Sequence, residues 1–188
     1  MTRSHLLYDN LTRFRSHEKG IAAVEFALTL PLMLFVFVGI TQVGQAVSIS
    51  HRVTITARTI TDLVTRETVS TGNVPATTIQ TDLAASAQVI APYPPTPLNV
   101  TVSEITTDSS GHATVTWSQS WPNNSNALVA GTSFTLPAAL QGNSVSVIYG
   151  KVTYSYTPIL GYKIIQPMTF SDSLYLYPRT GTNIPCCS

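Results

Sequence analysis

The chain has 188 residues, 44% of them hydrophobic and only 10% charged, with a formal net charge of +1. That length allows one ordinary domain beyond a single apolar segment. The hydrophobic content excludes disorder, and the charge balance supplies neither a basic field for nucleic acid nor an acidic one for cations. Charge far below the roughly 25% of soluble domains, with abundant Thr and Ser, fits an extracytoplasmic β-rich surface or one built to pack against copies of itself.

Residues 1–19 mix basic and polar groups with a few apolar ones. Leu6, Leu7, Leu11 and Phe14 fall near the spacing of a surface-lying amphipathic helix, but a short cytoplasmic leader is the simpler expectation. The run Gly20 to Val43, GIAAVEFALTLPLMLFVFVGITQV, follows. About 20 apolar residues at 1.5 Å rise span a hydrocarbon core of about 30 Å, so this run can cross a bilayer. Arg3, Arg13, Arg15 and Lys19 precede it, whereas Arg52, Arg58 and Arg66 beyond it are offset by Asp62 and Glu67. The positive-inside rule then expects the N-terminus in the cytoplasm and the bulk of the chain outside. Pro31 is tolerable in a membrane helix. Glu25 is the anomaly, since an ionised group inside an apolar span is expensive and usually functional.

Beyond Val43 the pattern continues: Val43, Val47, Ile49, Val53, Ile60, Leu63 and Val64 recur at three- and four-residue steps, predicting one helix to about Glu67. Val53, Ile55 and Ala57 also alternate as a strand would, a competing signal. Gly72, Asn73 and Pro75 mark a break. A second helix is expected over 77–90, with Ile79, Leu83, Ala87 and Ile90 on one face. Pro92, Pro94, Pro95 and Pro97 then suggest an extended polyproline linker.

After the linker the period becomes two. Leu98 to Ile105 and Ala113 to Trp121 form a hairpin signal around Asp108–Gly111. Pro122 to Gly142 is an excursion rich in Ser, Asn and Gly. Val145 to Tyr156 is the strongest strand, and Met168 to Tyr177 the last, after breaks at Pro158 and Gly161. The fold class expected is α+β: a long N-terminal transmembrane helix that continues outside the membrane and covers a small antiparallel sheet of about four strands. The implied division is 1–20 leader, 21–46 transmembrane helix, 47–92 extracytoplasmic helical region and 93–188 β-rich domain. Open sheet edges would pair between subunits. The aromatics Trp117, Trp121, Tyr149, Tyr154 and Tyr156 are candidates for a partner surface, though core is the commoner use of such residues.

No enzyme is expected. His5, His17, His51 and His112 are scattered, no Cys or His spacing suits a metal, and neither a nucleophile elbow nor a phosphate-binding glycine loop occurs. No cofactor is implied. Asn10, Asn99 and Asn123 begin N-x-S/T triplets, which so hydroxyl-rich a chain produces by chance. Cys186 and Cys187 are adjacent, and a bond between neighbours cannot staple distant parts of a fold. Free thiols in an unstructured tail or an intermolecular disulfide are the expectations.

The specific signal is at the head of the span. A basic leader ends at Gly20; Ile21, Ala22, Ala23 and Val24 follow, then Glu25 and Phe26. This resembles the processing site of type IV pilin-like proteins. The variant with the glutamate fifth after the glycine and an aromatic next, within AAVEFALTLPLML, resembles the TadE-like family, minor pilins or pseudopilins of the tight adherence (Tad) pilus. The close likeness covers residues 19–45. It implies cleavage between Gly20 and Ile21 by a prepilin-type peptidase, which leaves the helix in the product. It further implies residence in the bacterial inner membrane, single-pass with a periplasmic domain, and partnership with pilin and pseudopilin subunits and the assembly machinery, whether within the filament, at its initiation or at its base.

The freed Ile21 amine would then lie within reach of a neighbour's Glu25 carboxylate. Buried charges persist when paired, so such a pair would set axial register rather than add raw stability. Unpaired, Glu25 would instead be solvated by snorkelling toward headgroups. Two other readings stand beside this one. The chain is a secreted protein cut after Ala46 at a small-x-small site, or an uncleaved single-pass anchor whose β domain binds a surface or polysaccharide, as in the larger TadG-like relatives.

Overall fold

Hydrophobic spacing along the first helix decides what it packs against. The computed structural model describes residues 18–67, 72–158 and 166–187. The leader through residue 17, including Leu6, Leu7, Leu11 and Phe14, lies outside them, as does Gly161. Helix α1 (Glu18–Thr65) is continuous over 48 residues and runs through Pro31. Contacts divide the chain into two units, Met1–Gly44 and Gln45–Ser188.

In the first unit the described part of α1 is apolar on every side. Ile21, Val24, Phe26, Leu28, Phe35 and Phe37 are all exposed, which leaves no inward stripe. In the second unit the helix is periodic. Ile49, Val53, Ala57, Ile60 and Val64 form one stripe and are buried. The competing strand signal resolves here: Val53 and Ala57 share the buried face four residues apart, while Ile55 stays 48% exposed.

Helices α2 (Ala76–Ala84) and α3 (Ser86–Val89) replace the single helix expected over 77–90. The interruption is at Ala85, whose N–H is shared between the carbonyls of Thr81 and Asp82. Ile79, Leu83 and Ile90 are nevertheless buried together. The proline-rich segment that follows is not extended. Turn hydrogen bonds from Tyr93 N–H to Ile90 O and from Leu98 N–H to Pro95 O fold it back. Tyr93 packs on the core, and Tyr154 Oη donates to Pro94 O.

Four strands, β1 (Leu98–Thr107), β2 (Ala113–Trp121), β3 (Ser146–Tyr156) and β4 (Met168–Leu176), make one antiparallel sheet in the order β2-β1-β3-β4. The architecture is therefore α+β, as the change of period implies. Side-chain alternation sorts the faces. Leu98, Val100 and Val102 of β1 join Ile148, Val152 and Tyr154 of β3 and Trp117 of β2 against the α1 stripe. Gly150 permits the close approach: a Cβ there would fall 1.8 Å from Thr61 Oγ1. The opposite face carries Asn99, Thr101, Ser103, Lys151, Thr153 and Ser173, a polar set.

The two edges differ. The excursion lies along β2, with hydrogen bonds from Val115 N–H to Thr132 O, Gly131 N–H to Val115 O and Phe134 N–H to Ala113 O. Strand β4 has no neighbour on its outer side among the described residues.

Candidate functional site

The residues singled out at the head of the span, Gly20, Ile21, Glu25 and Phe26, all lie on α1. Ile21 and Glu25 are four apart and so share one face, with Cβ atoms roughly 5–6 Å from each other by helix geometry. Ile21 is 57% and Phe26 62% exposed, and Glu25 is exposed as well. No hydrogen bond or ion pair engages the Glu25 carboxylate among the described residues. One turn on, Thr29 Oγ1 donates back to the carbonyls of Glu25 (3.0 Å) and Phe26 (3.2 Å). The helix satisfies its own polar groups here, as apolar surroundings require.

The candidate aromatics are scattered by the fold rather than gathered. Trp117 and Tyr154 are buried in the main core, and Trp121 and Tyr156 pack at its margin. Tyr156 Oη donates to Gln45 Oε1 (2.8 Å), tying β3 to the start of the packed part of α1. Tyr149 alone is on the opposite face, its ring 5.1 Å from both Phe134 and Tyr175.

Cys186 and Cys187 are joined to each other. They do not belong to a loose tail. Val74 N–H donates to Pro185 O (2.8 Å), Cys187 N–H donates to Val74 O (3.3 Å), and Val74 forms a parallel bridge with Cys186. The docked segment holds both cysteines half-buried against the core.

Glu104 is the residue that sequence reasoning passed over. It occupies the fourth inward position of β1 after Leu98, Val100 and Val102, and it is fully buried. Its Oε1 accepts from Ser146 Oγ (2.6 Å) and from Ile184 N–H (2.9 Å). Trp117 Nε1 donates to Ile184 O (2.7 Å), so the returning C-terminal segment is gripped on both sides of one residue. A glutamate at an apolar position of an alternating strand was the signal available. Arg179 N–H to Thr65 O and Thr180 Oγ1 to Glu67 O extend the docking to the end of α1, where helix carbonyls lack internal partners. Arg66 and Arg179 both pair with Asp62 there.

Two carboxyls outside the span are shifted. Burial, aided by the neighbouring Glu67 charge and a hydrogen bond with it, pushes Asp82 up to about 6. In the β1–β2 turn, the His112 backbone N–H holds Asp108 below the usual carboxylate range.

Comparison with known families agrees with the geometry at one end of the molecule. Residues 20–61 match the family described as TadE-like protein. No curated protein and no solved structure matches the chain. The matched segment contains the uncovered part of α1 and most of its packed part, and the remainder of the chain lies outside it. In length and composition the helix is sufficient to cross a membrane, with a mean hydropathy of 2.3 in its most apolar window. Match and helix together point to a membrane-anchored, Tad pilus-related protein.

Proposed function

Proceeding from a chain whose residues 20–61 are TadE-like, we propose that it is a minor pilin or pseudopilin that acts structurally in assembly of a Tad-type pilus. In this reading a prepilin-type peptidase cuts between Gly20 and Ile21. The leader stays in the cytoplasm, α1 spans the bacterial inner membrane, and the domain from Gln45 onward stands in the periplasm. The observation that carries it is the pairing of Ile21 and Glu25 on one uncovered face of α1, at the head of the matched segment. Cleavage would place an ammonium on Ile21. In a bundle of such helices that ammonium and a neighbour's Glu25 can neutralise each other in a medium where either alone is costly.

Sequencing the N-terminus of the mature protein tests the processing step. Ile21 as first residue is the expected outcome. Val47 would instead mean a secreted protein cut after Ala46, and an intact Met1 an uncleaved anchor. For the register role, Glu25→Ala is expected to leave insertion intact and to abolish pilus formation. Unchanged pili in that variant would refute it.

A further inference from the structure

The polar face of the sheet bears a groove. Its floor is formed by Asn99 and Thr101 of β1 with Lys151 and Thr153 of β3. The excursion raises a wall over it with Asn126 and Phe134, and the ring of Tyr149 closes one end beside Phe134. The cavity is about 300 Å³, at the small end of the range for ligand pockets.

Its functional groups are complementary in a specific way. Asn126 Nδ2 donates to Asn99 Oδ1 (2.9 Å), which locks the two carboxamides edge to edge. The Asn99 NH2 donors and the Asn126 Oδ1 acceptor make no further hydrogen bond among the described residues. Thr101 Oγ1 donates to the Asn126 backbone carbonyl (3.2 Å) and so fixes the wall to the floor. Lys151 is exposed and has no acidic partner among the described residues. Phe134 and Tyr149 supply tilted aromatic surface, 5.1 Å apart at 54°.

These groups discriminate among classes of ligand. Backbone addition of a peptide strand is unavailable at the floor, because β1 and β3 are paired on both sides. A nucleic acid would need several cations along its backbone, and the groove has one. A lipid tail would leave the Asn99 NH2, the Asn126 Oδ1 and the Thr153 hydroxyl unpaired. A sugar ring presents apolar C–H faces for the aromatic rings and adjacent hydroxyls for the carboxamide pair. A carboxylate on that ring would answer the ammonium of Lys151.

The geometry points to an acidic-saccharide site in this groove: a uronic-acid unit stacked on Phe134 and Tyr149, hydrogen-bonded by Asn99 and Asn126, with its carboxylate on Lys151. This assignment is independent of processing at Gly20.

The test is calorimetric titration of the full chain in detergent micelles with trigalacturonate, and with maltotriose as the neutral counterpart. Trigalacturonate is expected to bind more tightly than maltotriose, and to weaken as salt is added. Lys151→Met should reduce trigalacturonate affinity about tenfold and leave maltotriose unaffected. Asn126→Ala should weaken both, and Tyr149→Ala should abolish both. Since Lys151 and Asn126 are exposed, their variants remain informative if Tyr149→Ala fails to fold. Absence of trigalacturonate binding at about 1 mM, or binding unchanged by Lys151→Met and Asn126→Ala, overturns the proposal. So does self-association that is lost in Lys151→Met without any saccharide bound, since the groove would then hold a second copy of the chain.

Discussion

Residues 20–44 and 45–65 belong to one helix, yet their side chains meet different surroundings. In the first stretch Phe35 is 71% and Leu28 74% exposed, and apolar residues occupy every direction. In the second, five apolar residues at three- and four-residue steps are buried against the sheet, and Val47, Ile55 and Leu63 are the large apolar residues left exposed. Leaving a Leu or Phe side chain in water forgoes roughly 1.5–3 kcal/mol of burial, so a run like the first is stable only in lipid or among other helices. The contrast teaches that helix propensity carries α1 through both stretches, whereas the distribution of apolar residues around the axis selects the solvent.

Substitution within each stretch should expose that contrast most strongly. Ile60→Ala is expected to destabilise the domain by about 2–5 kcal/mol. Phe35→Ala should change the same transition by less than about 0.5 kcal/mol. Denaturant unfolding followed by fluorescence reports on the domain, because both tryptophans, Trp117 and Trp121, lie in β2. Equal effects from the two substitutions would erase the distinction between the stretches.

Next in size is the grip on the C-terminal segment. Glu104→Ala leaves the Ser146 hydroxyl and the Ile184 N–H without their acceptor, which should cost about 1–3 kcal/mol. Hydrogen exchange at Ile184 should accelerate more than exchange at the buried end of α1. A uniform acceleration would mean that the segment and the helix open as one unit.

Gly150→Ala probes the close approach of helix and sheet from the strand side. The added methyl meets Thr61 Oγ1, and overpacking of this kind costs about 1–3 kcal/mol. Combining it with Thr61→Ser, which removes only the methyl, should recover less than combining it with Thr61→Gly, and the order is measured by the same unfolding transition.

The smallest expected effect is electrostatic. Asp82 at about 6 in the folded protein binds a proton more tightly than it does in the unfolded chain, where a carboxyl titrates near 3.9. The folded state therefore gains from acid: stability should fall as pH rises from about 4 to about 6 and then level off. Asp82→Asn should flatten that slope in thermal melts across the window, and an unchanged slope would remove Asp82 as its source. No comparable slope is expected from substitutions in the uncovered stretch.

Much of this was legible in the residues. The apolar run, its Glu25, the shift from a 3.6-residue to a two-residue period after Pro97, and the hairpin around Asp108–Gly111 each follow from local patterning. Other features were not legible because they depend on which segments meet. Pro92 to Pro97 looks extended in sequence, but its turn bonds form where Tyr93 and Tyr154 reach the core. Ala85 has no helix-breaking chemistry, yet the helix is interrupted there. The adjacent cysteines gave no hint that Val74 would hold their segment.

By itself the sequence determined where the chain can enter lipid, where it turns from helix to strand, and which strand positions face inward. These are consequences of hydrophobic period and backbone preference, and they act over a few residues. Only the tertiary structure decided that Glu104 would hold Ile184 80 positions away, that the excursion would cover the β2 edge and, among the described residues, leave β4 open, and that Asn99 and Asn126 would meet beside Lys151 in one groove. Each of those depends on contacts between segments distant in sequence, where partner, distance and burial are set by packing of the whole domain rather than by neighbours along the chain.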